Sequence, residues 1–147
     1  MPYFTYDTSV IVSRKLSLHE IPRNFVMSAV VMMELMSSAA DSSHRKSYER
    51  FFRQFEEDNL LIVPTVEDWL LAAKIIFLLT QDRRREGRGK LKRLPPGASQ
   101  RLALDVLIAV SARRWKAQVV TENWADFKAI QRYCNATIIK AAQFFRR

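Results

Sequence analysis

Apolar residues recur along this chain in two rhythms: short unbroken runs, and longer stretches in which they return every three or four positions. Short runs read as buried strands and the longer period as amphipathic helices. Tyr3 to Tyr6 predicts a first strand, and Asp7-Thr8-Ser9 supplies helix-capping chemistry for a short helix or turn. Phe25 to Ser28 predicts a second strand, followed by a helix from Ala29 to Ala40. Tyr48, Phe51, Phe52 and Phe55 give helical spacing to Ser42 through Asp58 and read as core, with a possible dimer edge. Leu60 to Val63 is a strand closed by Pro64, and a helix from Thr65 or Val66 lasts to about Gln81. Pro95-Pro96-Gly97 marks a turn, and Ser99 is placed to cap a helix that runs to about Trp115. A strand at Gln118 to Thr121, a helix at Asp126 to Tyr133 and a strand at Ala136 to Ile139 complete the pattern. Strands alternating with helices predict a three-layer α/β/α sandwich around a mostly parallel central sheet, joined by right-handed crossovers. Sites in such sheets form beyond the carboxyl ends of the strands.

Composition narrows this further. The 147 residues suit one domain, and an apolar fraction of 48% with only 3 Gly and 5 Pro argues for a folded chain. One cysteine, Cys134, excludes an internal disulfide and makes a cysteine-based zinc site untenable. The N-terminus has no signal-peptide pattern, and apolar runs such as Ile75 to Leu79 are too short to cross a bilayer, so a cytoplasmic protein without a membrane association is expected. A formal charge of +9 points to a polyanionic partner. Much of that charge sits in Arg83, Arg84, Arg85, Arg88, Lys90, Lys92 and Arg93, expected as a basic loop at about 82–98. The segment reads either as a set of phosphate contacts to RNA or as a solvated loop, and it holds no aromatic residue to stack on a base. His19 and His44 lie in no ligand-like cluster. Trp69, Trp115 and Trp124 read as core or interface anchors, and Met27, Met32, Met33 and Met36 as adaptable packing.

Four acids stand in apolar surroundings. Asp7 follows Tyr3-Phe4-Thr5-Tyr6, Glu34 lies within Val30 to Met36, Asp105 is the sole charge from Leu102 to Ala112, and Asp126 precedes Phe127 just after a strand. Taken singly, each suits a cap or a salt bridge, Asp7 above all. Taken together, buried carboxylates with no Lys or Arg at hand need a shared counter-charge, since an unpaired buried charge costs several kcal/mol. Oxygen-only ligands favour Mg²⁺ or Mn²⁺, and such a site does phosphoryl chemistry, with either one or two ions.

The same residues resemble the motifs of PIN domains, and most nearly those of VapC-like toxins from toxin–antitoxin pairs. Tyr6-Asp7-Thr8-Ser9-Val10-Ile11 resembles the family's first motif, and Glu34-Leu35 the second. Leu104-Asp105-Val106-Leu107-Ile108-Ala109 resembles the third, and Val120-Thr121-Glu122-Asn123-Trp124-Ala125-Asp126-Phe127 the closing element. Glu122 departs from the family pattern and reads as a surface acid rather than an extra ligand. The resemblance implies a Mg²⁺- or Mn²⁺-dependent endoribonuclease in a single PIN-like nuclease domain over residues 1–147. By it, Asp7, Glu34, Asp105 and Asp126 are the catalytic, metal-binding acids, Ser9 and Asn123 assist by hydrogen bonding, and Thr121 holds the loop. It also implies an RNA substrate, a cognate antitoxin and a homodimer. The alternatives are a non-catalytic PIN-like module that binds RNA or a partner, and a nuclease acting on DNA.

Overall fold

The computed structural model describes residues 2–86 and 98–146. Among the described residues there are five short strands: β1 (Phe4–Tyr6), β2 (Met27–Ser28), β3 (Leu61–Ile62), β4 (Gln118–Thr121) and β5 (Thr137–Lys140). The helices between and after them are α1 (Thr8–Ser13), α2 (Ala29–Ser37), α3 (Ser42–Glu57), α4 (Val66–Glu86), α5 (Ala98–Arg114), α6 (Trp124–Gln131) and α7 (Ala141–Phe144). β1 pairs with β4 and β4 with β5, while β2 pairs with β3, every pair parallel. A parallel bridge from Phe4 to Phe25 joins the two ladders, with Val26 N–H donating to the Phe4 carbonyl at 2.9 Å. The spatial order is therefore β3-β2-β1-β4-β5, and every described strand pair is parallel, where the pattern of runs predicts a mostly parallel sheet.

Burial explains the runs. Val26, Met27, Ile62, Val119 and Val120 are fully enclosed, as expected of strands covered on both faces. On one face Phe4 and Tyr6 meet Phe25 and the Phe144 ring of α7. α5 packs on β2 and β4 and brings Val106, Ile108, Ala109 and Val110 into the core. Phe55 of α3 is buried against Phe25, while Tyr48, Phe51 and Phe52 are half-buried beside it.

Local chemistry sets the helix ends. Asp7, Ser28 and Asp41 each cap a helix by accepting a backbone N–H. Thr65 and Asp68 form a reciprocal capping box at the start of α4, with bonds of 3.2 and 2.9 Å. With few glycines available, Lys15, Asn59 and Lys116 take up the left-handed conformation after α1, α3 and α5. In each case the next residue's N–H reaches back five positions, as Leu16 does to Ile11, which ends the helix and turns the chain.

Four expectations need correction. The helix of α4 runs on to Glu86, so residues 82–86 are helical rather than the opening of a basic loop. Arg88, Lys90, Lys92 and Arg93 lie outside the described residues. Ser99 lies inside α5, which already includes Ala98, so it is not the cap. α6 starts at Trp124, placing Asp126 in its first turn, and α7 had no counterpart among the predicted elements. Among the described residues, no helix is long and apolar enough to cross a membrane.

Candidate functional site

Asp7 leaves the end of β1 and caps α1, and only 2% of it is exposed. Its Oδ1 accepts from Ser9 Oγ at 2.5 Å and from the Val10 N–H at 3.2 Å. Its Oδ2 accepts from Thr121 Oγ1 at 2.7 Å, across the β1–β4 junction. Thr121 Oγ1 in turn accepts the Asn123 N–H at 2.8 Å, and Ser9 Oγ accepts the Glu122 N–H at 3.3 Å. Two loops that are remote in sequence are thus stitched together through one carboxylate. Burial pushes Asp7 above the usual carboxylate range, and the bonds from Ser9, Thr121 and Val10 pull it back.

Glu34 faces the same space from α2. Thr8 Oγ1 donates to its Oε1 at 2.9 Å. Burial raises its carboxyl, the Thr8 bond lowers it, and the charge of Asp7 raises it again. Asp105, on α5, is the outlier. Burial, together with the charges of Asp7, Glu34 and Asp126, pushes it up to about 7, against a small opposing pull from Arg101. Among the described residues no donor reaches its carboxylate. Asp126 completes the set from the first turn of α6 and is exposed.

All four acids line one open cleft of about 550 Å³ at the carboxyl ends of β1 and β4, with Thr8, Ser9, Val12, Leu102, Asn123, Arg83 and Arg101. The donor set is oxygen-only and open to water, which suits Mg²⁺ or Mn²⁺. No three acidic, histidine or cysteine side chains among the described residues converge on one point. That is compatible with Mg²⁺, which is commonly held by one or two carboxylates and keeps several waters.

The remaining expected residues fall in different places. Asn123 caps α6 and lines the cleft, and its side chain makes no capping bond. Arg83 lines the cleft, Arg85 is exposed on α4, and the Arg84 side chain lies outside what is described. Glu122 is a surface acid paired with Arg14 at 2.7 Å, and the Arg14 guanidinium also sits 4.4 Å from the centre of the Phe145 ring. Arg101 was missed, and it corrects the expectation that no cation is at hand. It stands one position outside the apolar run but one helical turn from Asp105. Thr8 was missed as well, because its partner Glu34 is 26 residues away.

No protein-family model and no curated protein matches the chain. Solved structures do. A chain of the VapBC-1 structure from nontypeable Haemophilus influenzae aligns with a TM-score of 0.56 at 17% identity, covering 95% of this chain and 98% of that one. A chain of the DNA-bound VapBC structure from Salmonella typhimurium gives 0.56 at 18% identity, covering 96% and 99%. A chain of VapBC2 from Rickettsia felis, bound to a DNA fragment from their promoter, gives 0.51 at 18%, covering 94% and 98%. The fold is that of a VapC-like PIN domain. The acid cleft lies where the PIN-like sheet ends its parallel strands, the position at which an open α/β sheet offers a crevice.

Proposed function

We propose that this protein is a Mg²⁺- or Mn²⁺-dependent endoribonuclease of a single domain, acting in the cytoplasm as the toxin of a toxin–antitoxin pair. The observation that carries the reading is the convergence of Asp7, Glu34, Asp105 and Asp126, from four separate segments, on one cleft. In this reading the four carboxylates share the ion, one or two binding it directly and the others through its retained waters. The bound ion supplies charge stabilisation for the phosphate and lowers the pKa of a water that attacks it. Ser9 and Thr121 orient the Asp7 carboxylate, and Thr8 orients Glu34. Asp105, pushed up to about 7, would bind a cation in its ionised form, which the cation's charge would favour. Asn123 has a side-chain amide free of capping duty at the rim, suited to hold a water or a phosphate oxygen.

The reading includes protein partners, an antitoxin and a second copy of the chain. An exposed apolar stripe on α4 supports such contacts: Val66, Trp69, Leu70 and Phe77 are 57–73% exposed. The test is a cleavage assay on total RNA with mapped 5′ ends in Mn²⁺, with Asp105→Asn as control. Cutting is expected from the wild type alone and is expected to stop in chelator. Cutting that persists in excess chelator, or in the Asn variant, overturns the reading. RNA binding without any cutting would leave the non-catalytic module.

A further inference from the structure

Two cations in the cleft have no role in the reading above. Arg83 lies near the end of α4 and Arg101 in the first turn of α5, and these two helices pack against one another. Both side chains line the acid cleft, and both residues are exposed. Among the described residues neither forms an ion pair, although four carboxylates line the same cleft. The contrast within the molecule is Arg114, which closes on Asp68 at 3.2 Å and on the Val63 carbonyl at 2.8 Å. That arginine is spent on structure, whereas Arg83 and Arg101 hold no ion-pair partner among the described residues.

A polyanion approaching four carboxylates meets repulsion, which a metal bound among them offsets only locally. Guanidinium groups at the mouth of the cleft offset it along the strand. Their planar forks match the oxygens of a phosphodiester two at a time, which an ammonium cannot do. Arg101 lies four positions before Asp105 on the same helix face, so it sits beside the acids and lowers Asp105 slightly without closing an ion pair among the described residues.

We propose that Arg83 and Arg101 grip the RNA phosphate that neighbours the cleaved one, fixing the strand along the α4–α5 side of the cleft. The word "cleaved" rests on the nuclease reading; the grip itself is a statement about binding. It separates these two residues from the rest of the basic run, and it adds one that lies outside that run. A purely structural counter-charge role for Arg101 makes a different prediction. Its loss would then damage metal binding and RNA binding together, because both would depend on the same disturbed acids.

The experiment uses the full chain and a fluorescent single-stranded RNA of about 12 nucleotides, within the span that such grooves cover. Binding is followed by anisotropy in chelator, where nothing is cut, over a range of salt. Arg83→Ala and Arg101→Ala are each expected to weaken binding about 5- to 10-fold and to reduce the slope of log K against log salt by about 0.7. Calorimetry with Mn²⁺ is expected to show Arg101→Ala binding the metal at least as tightly as wild type, since a like charge has gone. Unchanged RNA affinity and slope in both variants overturns the proposal. So does wild-type protein that fails to bind the RNA, or a parallel loss of Mn²⁺ binding in Arg101→Ala. If the wild type binds no Mn²⁺ and cuts nothing, yet its RNA binding still falls with each arginine, the grip stands and the nuclease reading fails.

Discussion

Asp7 and Asp105 face the same cleft from niches of opposite character. Around Asp7, both carboxylate oxygens are satisfied by hydroxyl and amide donors contributed by α1 and β4. Around Asp105, α5 supplies apolar neighbours while Asp7, Glu34 and Asp126 bring three carboxylates from other segments, and the group is driven to about 7. Asp68 gives a third case: it is 3% exposed, yet it shares a capping box with Thr65 and a bond with Arg114. Burial of an acid therefore does not define a site. What marks Asp105 is half-burial without a donor among the described residues, in the company of like charge, a state that an incoming cation relieves.

The largest expected effect asks whether the two niches serve one chemistry. Asp7→Asn and Asp105→Asn should each lower Mn²⁺-dependent RNA cleavage by about 10²- to 10³-fold, the scale for losing a group that stabilises developing charge. Activity that survives in one of them would split the pair. The next effect concerns stability, where the signs should differ. Asp7→Ala removes a helix cap and two hydroxyl partners and should cost about 2–3 kcal/mol. Asp105→Asn should gain about 1 kcal/mol, a figure already reduced for solvent screening. Urea unfolding in chelator measures both, and shifts of the same sign would erase the contrast.

A smaller effect follows from pH. Because Asp105 titrates well above its ordinary range, the folded state retains a proton that the unfolded chain has released. Its contribution to stability is complete below about pH 4 and is lost as pH rises through about 7. Asp7 and Glu34 are raised as well, so they act in the same direction. Metal-free protein should melt at progressively lower temperature across that window, and Asp105→Asn should flatten the trend. A variant with the wild-type slope would remove Asp105 as its source. The smallest effect is at the rim. The Arg14–Glu122 pair is 32% and 33% exposed, so Glu122→Gln should change stability by less than about 1 kcal/mol and leave cleavage intact. A large loss of activity would make Glu122 a ligand after all.

Most of the strands and helices could be read from the chain because buried strands leave unbroken apolar runs, as Val119-Val120 and Leu61-Ile62 do. The last turns of α4 could not. Asp82 to Glu86 holds no apolar residue to mark a face, so charge density looked like a loop. The candidate site was legible as four acids with no obvious partner, which is a local property of the sequence, although Asp126 departs from the apolar surroundings expected of it and is exposed. Its wiring was not local. Thr121 reaches Asp7 across 114 residues, and Arg101 joins the cleft only because a helix returns to the same face after four residues. Neither relation has a signature in a single sequence.

The junction of β1 with β4 also has a consequence for biosynthesis. The strand that precedes Asp7 is made before its ladder partner and the Thr121 hydroxyl, which come 114 residues later. Contacts this distant form late, after the intervening loop has been closed. A chain that lacks β4 has neither the ladder partner of β1 nor the Thr121 hydroxyl that holds the Asp7 carboxylate.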